Sequence, residues 1–474
     1  MRGLAMTEAV AAVDLGATSG RVMLGYVGPN ELRLESVARF PNGPVTGADG
    51  IHWPIDRLFA DVRAGLADAG RREPGLRSIG VDAWAVDYAL LREGRMLGAP
   101  HHYRDERNFR GVDAVLAALT PAELYAANGL QHLPFNTLFQ LSADLADGTL
   151  AGADSMLLIP DLIAFWLTGR PAAERTNAST TGLLDLRGGW NDALIARLGL
   201  PRGLFPELID AGTTLGTLAA AMALELGLPE STVVTAVGSH DTASAVLAVP
   251  AVDSDFAYIS CGTWGLVGVE LDAPIVTEAA RLANFTNEGG VDGRVRFLHN
   301  VMGTWLLSES LRSWQTDDLA GLLAAAAAVT TEVSVFDADD PRFLAPGDIP
   351  ARIADYCGEH GLPVPQGRAE YVRSIVESLA ATFARTVQLA SELSGTTVSA
   401  VHLVGGGSQN ELLCQLTADR CALPVLAGPT EATAIGNVLV QARALGLITG
   451  TVESLRARVA SSIEVRRYLP GGRR

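Results

Sequence analysis

The run Ala12-Val13-Asp14-Leu15-Gly16-Ala17-Thr18-Ser19-Gly20-Arg21 decides how this 474-residue chain is read. An apolar strand delivers a carboxylate, Asp14, into a turn of small and hydroxylated residues, and residues 22–27 resume as a second strand. Such a turn aims backbone N–H groups and hydroxyls at a phosphate. Its carboxylate suits a hydrated Mg²⁺, which takes one or two carboxylates together with substrate phosphates. An ordinary hairpin with an exposed Asp has the same local sequence, so the turn alone leaves both readings open.

Working outward, Leu32, Leu34, Val37 and Phe40 predict a third strand. Ile55, Leu58, Phe59, Val62 and Leu66 recur at helical spacing, and residues 78–82 form a β-type run. The pattern begins again past the middle. Residues 256–261 read as a strand ending at Gly262, and 266–269 as its partner. An amphipathic stripe from Val372 through Ile375, Leu379 and Phe383 to Val387 predicts a long helix stopped at Gly395. A strand over 401–404, a helix from Asn410, a strand over 424–427 and a helix over 431–445 follow. Two strand–glycine turn–strand units half a chain apart form a weak internal repeat. They predict two α/β domains, 1–249 and 250–474, divided at Val249-Pro250-Ala251.

Composition narrows the chemistry. At 48% apolar and 19% charged residues the chain is expected to fold. All 36 basic residues are Arg; there is no Lys. That removes P-loop enzymes, protein kinases, pyridoxal enzymes and Schiff-base aldolases, each of which needs a Lys. The net charge of −17 argues against a nucleic-acid partner, whose binding rests on cationic contacts to phosphate. The pair Arg466-Arg467 with Arg473-Arg474 reads as a frayed basic end. No run of about 18 uncharged apolar residues predicts a membrane span, and residues 1–10 lack a secretory apolar core. A cytoplasmic protein, monomer or homodimer, is expected. Cys261, Cys357, Cys414 and Cys421 have no CxxC spacing and are expected to be buried thiols.

Three further constellations carry chemistry. Ile259-Ser260-Cys261-Gly262-Thr263-Trp264-Gly265 repeats the logic of the first hairpin without its acid. Val401-His402-Leu403-Val404-Gly405-Gly406-Gly407-Ser408 lets backbone approach a flat ligand, for which a nucleoside is one guest. Gly238-Ser239-His240-Asp241-Thr242 falls at a helix start, where Asp241 is either a cap or a proton acceptor for an attacking hydroxyl.

In this order the four pieces resemble the FGGY carbohydrate kinases, whose fold is shared with actin, hexokinase and the Hsp70 chaperones. Leu167-Thr168-Gly169 followed by Thr176-Asn177-Ala178-Ser179-Thr180-Thr181-Gly182 is similar to the family's first signature region. Gly80-Val81-Asp82-Ala83-Trp84-Ala85-Val86-Asp87, Tyr103-Arg104-Asp105-Glu106-Arg107, Asn136-Thr137-Leu138-Phe139-Gln140-Leu141, Asn287-Glu288-Gly289-Gly290 and Asn300-Val301-Met302-Gly303 resemble the branch that acts on L-rhamnulose. The resemblance implies two similar ribonuclease H-like α/β domains flanking a central cleft, with a ketose and ATP as the small-molecule partners and Mg²⁺ held by Asp14. It implies Asp241 as the catalytic base, and Ala85, His240, Thr242 and Asn300 beside the sugar. Ala17, Thr18, Ser19, Gly20, Arg21, Thr263, Ser308 and Gly406 fall at the nucleotide positions. Two departures stand out: Ala85 where the branch usually has Gly, and Ser308 where the family often has Gln. The alternatives are a kinase of L-fuculose or xylulose, or a catalytically inactive actin-like nucleotide-binding protein.

Overall fold

The computed structural model describes residues 7–471. Arg473, Arg474 and most of the segment read for a leader lie outside the described residues.

The first sheet contains β1 (Glu8–Leu15), β2 (Ser19–Gly28), β3 (Glu31–Pro41), β4 (Ser78–Ala83), β5 (Thr214–Thr217) and β6 (Val233–Thr235), in the order β5-β6-β4-β1-β2-β3. β1 pairs antiparallel with β2 and parallel with β4. Residues 9–15 of β1 are buried without interruption, as a central strand covered on both faces requires. β3, at the edge, carries most of the sheet's exposed positions. Between β3 and β4 the helix Ile55–Arg72 buries Ile55, Leu58, Val62, Leu66 and Ala69, the one-sided stripe of a helix lying on a sheet.

A second sheet repeats the plan. Among its seven strands are β7 (Phe256–Cys261), β8 (Trp264–Leu271), β9 (Val295–Met302), β10 (Ala400–Val404), β11 (Val425–Ala427) and β12 (Arg466–Tyr468). Here β7 pairs antiparallel with β8 and parallel with β10, as β1 does with β2 and β4. The long helix Gly367–Ser394 ends at Gly395, whose φ of 71° is the left-handed conformation glycine adopts at low cost. Arg466–Tyr468 is not a frayed end: β12 pairs antiparallel with β11 and satisfies that strand's outer backbone groups. Cys261, Cys357 and Cys414 are buried free thiols, whereas Cys421 is only half-buried. Among the described residues no helix is long and apolar enough to cross a membrane.

The chain packs as two compact units, and they are not contiguous in sequence. The first holds residues 7–250 together with Glu270–Arg296 and Ala432–Ser462. The second holds Ala251–Val269, Phe297–Glu431 and residues 463–471. A linear division at 249/250 follows chain order, whereas packing returns the helix Ala432–Ala444 to the first unit. That helix lies against β1, β4 and the short helix Asp241–Leu247. Its Gly436 is needed for the approach, because a Cβ there would stand 1.9 Å from the Ser244 carbonyl oxygen.

Gly436→Ala is therefore expected to lower stability by about 1–3 kcal/mol, the usual cost of overpacking against backbone. The same change at Gly358, exposed near the end of the helix Ile349–Glu359, meets nothing within 4 Å and is expected to be neutral or to add up to about 1 kcal/mol. Thermal-unfolding midpoints of both variants check the pair. A Gly436→Ala protein as stable as wild type overturns the packing argument.

Candidate active site

β1 and β4 run parallel with Asp14 opposite Asp82, so neighbouring strands present two carboxylates to the same face of the sheet. Asp14 is 3% exposed, and its Oδ2 accepts from Arg21 Nε at 2.8 Å. The hairpin register that sets Asp14 opposite Arg21 makes this pair. Asp82 Oδ2 accepts from Asn437 Nδ2 at 2.6 Å, and its Oδ1 has no hydrogen-bond partner. Burial, and then the Asp14 charge, push the Asp82 carboxyl well above its ordinary range.

The turn between β1 and β2 is closed by the Gly16 N–H on the Ser19 carbonyl. Asn42 ties it from outside, donating from its amide to Gly16 O and from its backbone to Thr18 O. Thr18 is exposed, Ala17, Ser19 and Arg21 are half-buried, and Gly20 is buried. A Cβ on Gly20 would stand 2.2 Å from the Phe40 ring, which explains the glycine there.

The His-Asp-Thr loop reaches the same end of the sheet. Ala83 N–H donates to the Ser239 carbonyl at 2.9 Å and Trp84 N–H donates to the Leu15 carbonyl, so one strand end holds both loops. Asp241 is the first residue of the helix Asp241–Leu247, and His240, not Asp241, occupies the cap position. Thr242 Oγ1 donates to Asp241 Oδ1 at 3.0 Å. The Asp241 side chain keeps 31% of its surface open. Burial, then the Asp14 charge, raise its pKa to about 7. His240 is buried, and burial together with the Arg296 guanidinium holds it well below the usual imidazole pKa.

Ala85 is half-buried between two anchored neighbours. Asp87 Oδ2 accepts from Trp53 Nε1, Trp84 Nε1 and Tyr103 N–H, and its Oδ1 accepts from Gln140 Nε2. Val86 has a φ of 68°, an outlier for a β-branched residue. Its carbonyl is held by the Thr137 hydroxyl at 2.6 Å. Trp84, in the sugar-type segment, is buried against Trp53 with ring centroids 4.1 Å apart.

Within the first unit the fold thus brings together Asp14, residues 17–21, Ala85 and His240–Thr242. Thr263, Asn300, Ser308 and Gly406 belong to the second unit. Thr263 is half-buried in the β7–β8 turn, and its carbonyl accepts from Trp305 N–H. Asn300 lies near the end of β9, and Ser308 is exposed on the helix Trp305–Ser313. Gly406 is exposed in the turn after β10, beside Gly405, whose φ is 82°.

Sequence reading missed four residues here. Asp82 was visible only as part of a matching segment. Arg296 and Glu288 flank His240, at 2.9 Å (Nη2 to Nδ1) and 3.4 Å (Oε2 to Nδ1) respectively. Glu174 is fully buried, and its Oε2 accepts from the backbone and hydroxyls of Thr176 and Ser239, which fastens the His-Asp-Thr loop to the signature segment. Glu288 likewise falls in a quoted segment, 287–290, with no role read for it, and no local motif marks Glu174 or Arg296.

Among the described residues, no group of three or more His, Cys, Asp or Glu side chains is arranged to hold a metal by itself. Mg²⁺ does not need one, since it keeps several waters and takes one or two carboxylates. Asp14 beside Asp82, with Asp82 Oδ1 unsatisfied, fits that demand.

The chain matches the model of the N-terminal domain of the FGGY family of carbohydrate kinases over residues 10–248. It matches that of the C-terminal domain over residues 257–445. It is 39% identical to the rhamnulokinase of Bacteroides thetaiotaomicron, covering 97% of this chain and 95% of that protein. It is 41% identical to that of Pectobacterium carotovorum, covering 97% and 93%. Among solved structures it resembles a gluconate kinase from Lactobacillus acidophilus, with TM-score 0.79, 16% identity and coverage of 98% and 94%. A xylulose kinase from Rhodospirillum rubrum gives TM-score 0.77, 19% identity and the same coverage. The structural likeness establishes the fold, that of actin, hexokinase and Hsp70, and full-length identity near 40% establishes the relationship: this chain belongs to the FGGY family of carbohydrate kinases.

Proposed function

We propose that this kinase transfers the γ-phosphoryl group of ATP to the 1-hydroxyl of L-rhamnulose, giving L-rhamnulose 1-phosphate for cytoplasmic rhamnose catabolism. The observation that carries the choice of sugar is identity of 39–41% to rhamnulokinases over 97% of the chain. The site geometry supports the reaction. Asp241 is recessed but open, and burial, then the Asp14 charge, raise its pKa to about 7, suited to accept a proton at neutral pH. It takes the hydroxyl proton as the hydroxyl oxygen bonds to the γ-phosphorus. The bond from that phosphorus to the β–γ bridging oxygen breaks, and ADP leaves.

His240, Thr242, Ala85 and Asn300 are assigned to the sugar. Ala17, Thr18, Ser19, Gly20, Arg21, Thr263, Ser308 and Gly406 are assigned to the nucleotide. With no Lys in the chain, the phosphates are met by backbone N–H groups, hydroxyls and Arg. Asp14 and Asp82 would hold Mg²⁺, which when bound neutralises phosphate charge.

Asp241→Asn is expected to fold and bind nucleotide but to lose at least about 10²-fold in kcat, the low end for a general base. The base acts as its anion. In wild type kcat/KM, which reports the free enzyme, should therefore fall about tenfold per unit below about pH 7 and level off above it. Near-normal turnover of the variant sinks the assignment.

EDTA should abolish turnover, and Asp14→Ala should weaken the use of Mg-ATP far more than sugar binding. Unchanged ATP kinetics in Asp14→Ala would mean that the carboxylate only shapes the hairpin.

L-Rhamnulose is expected to give the highest kcat/KM in a panel with L-fuculose and D- and L-xylulose. Ala85→Gly should raise that value or leave it unchanged, since one methyl group in a pocket is worth about 1–3 kcal/mol. A tenfold preference of the wild type for another ketose refutes the sugar and leaves the kinase.

A further inference from the structure

We propose that Arg296 is a positioning residue that fixes His240 as the neutral Nε2–H tautomer, making His240 a dedicated hydrogen-bond donor beside Asp241 and not a second base. The proposal deepens the kinase reading and rests on it for the acceptor, an oxygen of the ketose.

The argument starts from one contact. Arg296 Nη2 lies 2.9 Å from His240 Nδ1. A guanidinium has five N–H donors and no acceptor, and it does not lose its proton in proteins. His240 Nδ1 must therefore offer a lone pair. A neutral imidazole with its lone pair on Nδ1 carries its proton on Nε2. That nitrogen lies 3.4 Å from Asp241 Oδ1, so the N–H is held on the side of the carboxylate.

The guanidinium is not free to turn away. Arg296 is 0% exposed, its Nε donates to the Gly289 carbonyl at 2.9 Å, and its Nη2 stands 3.1 Å from Glu288 Oε2. Glu288 Oε2 is also 3.4 Å from His240 Nδ1, and it would favour the opposite tautomer. The nearer, always-charged donor decides against it. Burial, and then the same positive charge, disfavour imidazolium. The charged groups around the ring are therefore Arg296, Glu288 and Asp241. From the backbone side the loop is fixed separately, by Glu174 on Ser239 and by Thr176 Oγ1 accepting from His240 N–H. Ring orientation and loop position thus have different supports, and they can be tested apart.

The experiment is a long-range ¹H–¹⁵N correlation spectrum of full-length protein labelled with ¹⁵N-histidine, with His240 identified by its loss in His240→Gln. The wild type is expected to show Nε2–H with unprotonated Nδ1, unchanged between about pH 5 and 8. Arg296→Met should populate both tautomers and lose about tenfold or more in ketose kcat/KM, and Arg296→Lys should recover part of each. An Nδ1–H tautomer in wild type, or an imidazolium titrating in that range, overturns the proposal. So does a folded Arg296→Met protein that keeps the wild-type tautomer.

If Arg296→Met does not fold, the wild-type spectrum still decides the tautomer, and a second pair decides the need for a donor. The Gln amide reaches the place of ring Nε2, whereas the Asn amide stops near Nδ1. His240→Gln should retain about tenfold more kcat/KM than His240→Asn; equal losses overturn the donor role. The spectrum needs no sugar, so a wrong ketose and a wrong tautomer fail in different measurements.

Discussion

The parallel pairing of β1 with β4 is the constraint on which the rest of the site depends. It sets Asp14 and Asp82 side by side at one register. Two neighbouring buried carboxylates repel and are poorly solvated. Arg21 comes to one through the hairpin register, and Asn437 comes to the other from the helix Ala432–Ala444. That helix reaches its place only because Gly436 allows backbone approach to Ser244 in the helix that begins with Asp241. Acidic pair and candidate base are thereby tied to one packing arrangement. The pKa of about 7 at Asp241 follows from it, since Asp14 is the charge that raises it after burial.

Around this centre the fold uses buried, multiply hydrogen-bonded acids as fasteners. Glu174 joins the signature segment to Ser239, and Asp87 joins Trp53, Trp84, Tyr103 and Gln140. A carboxylate accepting several donors can stay in a low-dielectric interior where an unpaired one cannot. The second set also confines Val86 to a left-handed conformation, so Ala85 sits in a segment with little freedom. A change of one methyl group at position 85 cannot be absorbed by local backbone drift.

A chain without Lys meets every need for fixed positive charge with Arg. The planar guanidinium donates in defined directions, which a rotating ammonium does not. Arg21 on Asp14 and Arg296 on His240 both use that property. Each orients a group by direction as well as by charge.

Strands β1–β4, β7, β8, β10 and β11 and the glycine turns were legible in the sequence, because alternation, helical stripes and turn residues are local properties, whereas β5, β6, β9 and the order of strands within each sheet were not read there. Asp14 and Asp241 were legible too, since each lies in a short motif with its chemistry nearby. The ownership of residues 270–296 and 432–462 was not, because burial of a helix face is decided by whichever surface it meets and not by its place in the chain. For the same reason, edge pairing and not composition decided that Arg466–Tyr468 is a strand. The roles of Asp82, Glu174, Glu288 and Arg296 carry no local signal, even though Asp82 and Glu288 lie in quoted segments: each acts on a residue at least 48 positions away. The sequence by itself pointed to the family, to two repeated strand–turn–strand units and to Asp14 and Asp241 as candidate site carboxylates. Only the tertiary structure decided which buried charges stand beside them, because hydrogen bonds and pKa values depend on distances that the chain acquires when it folds.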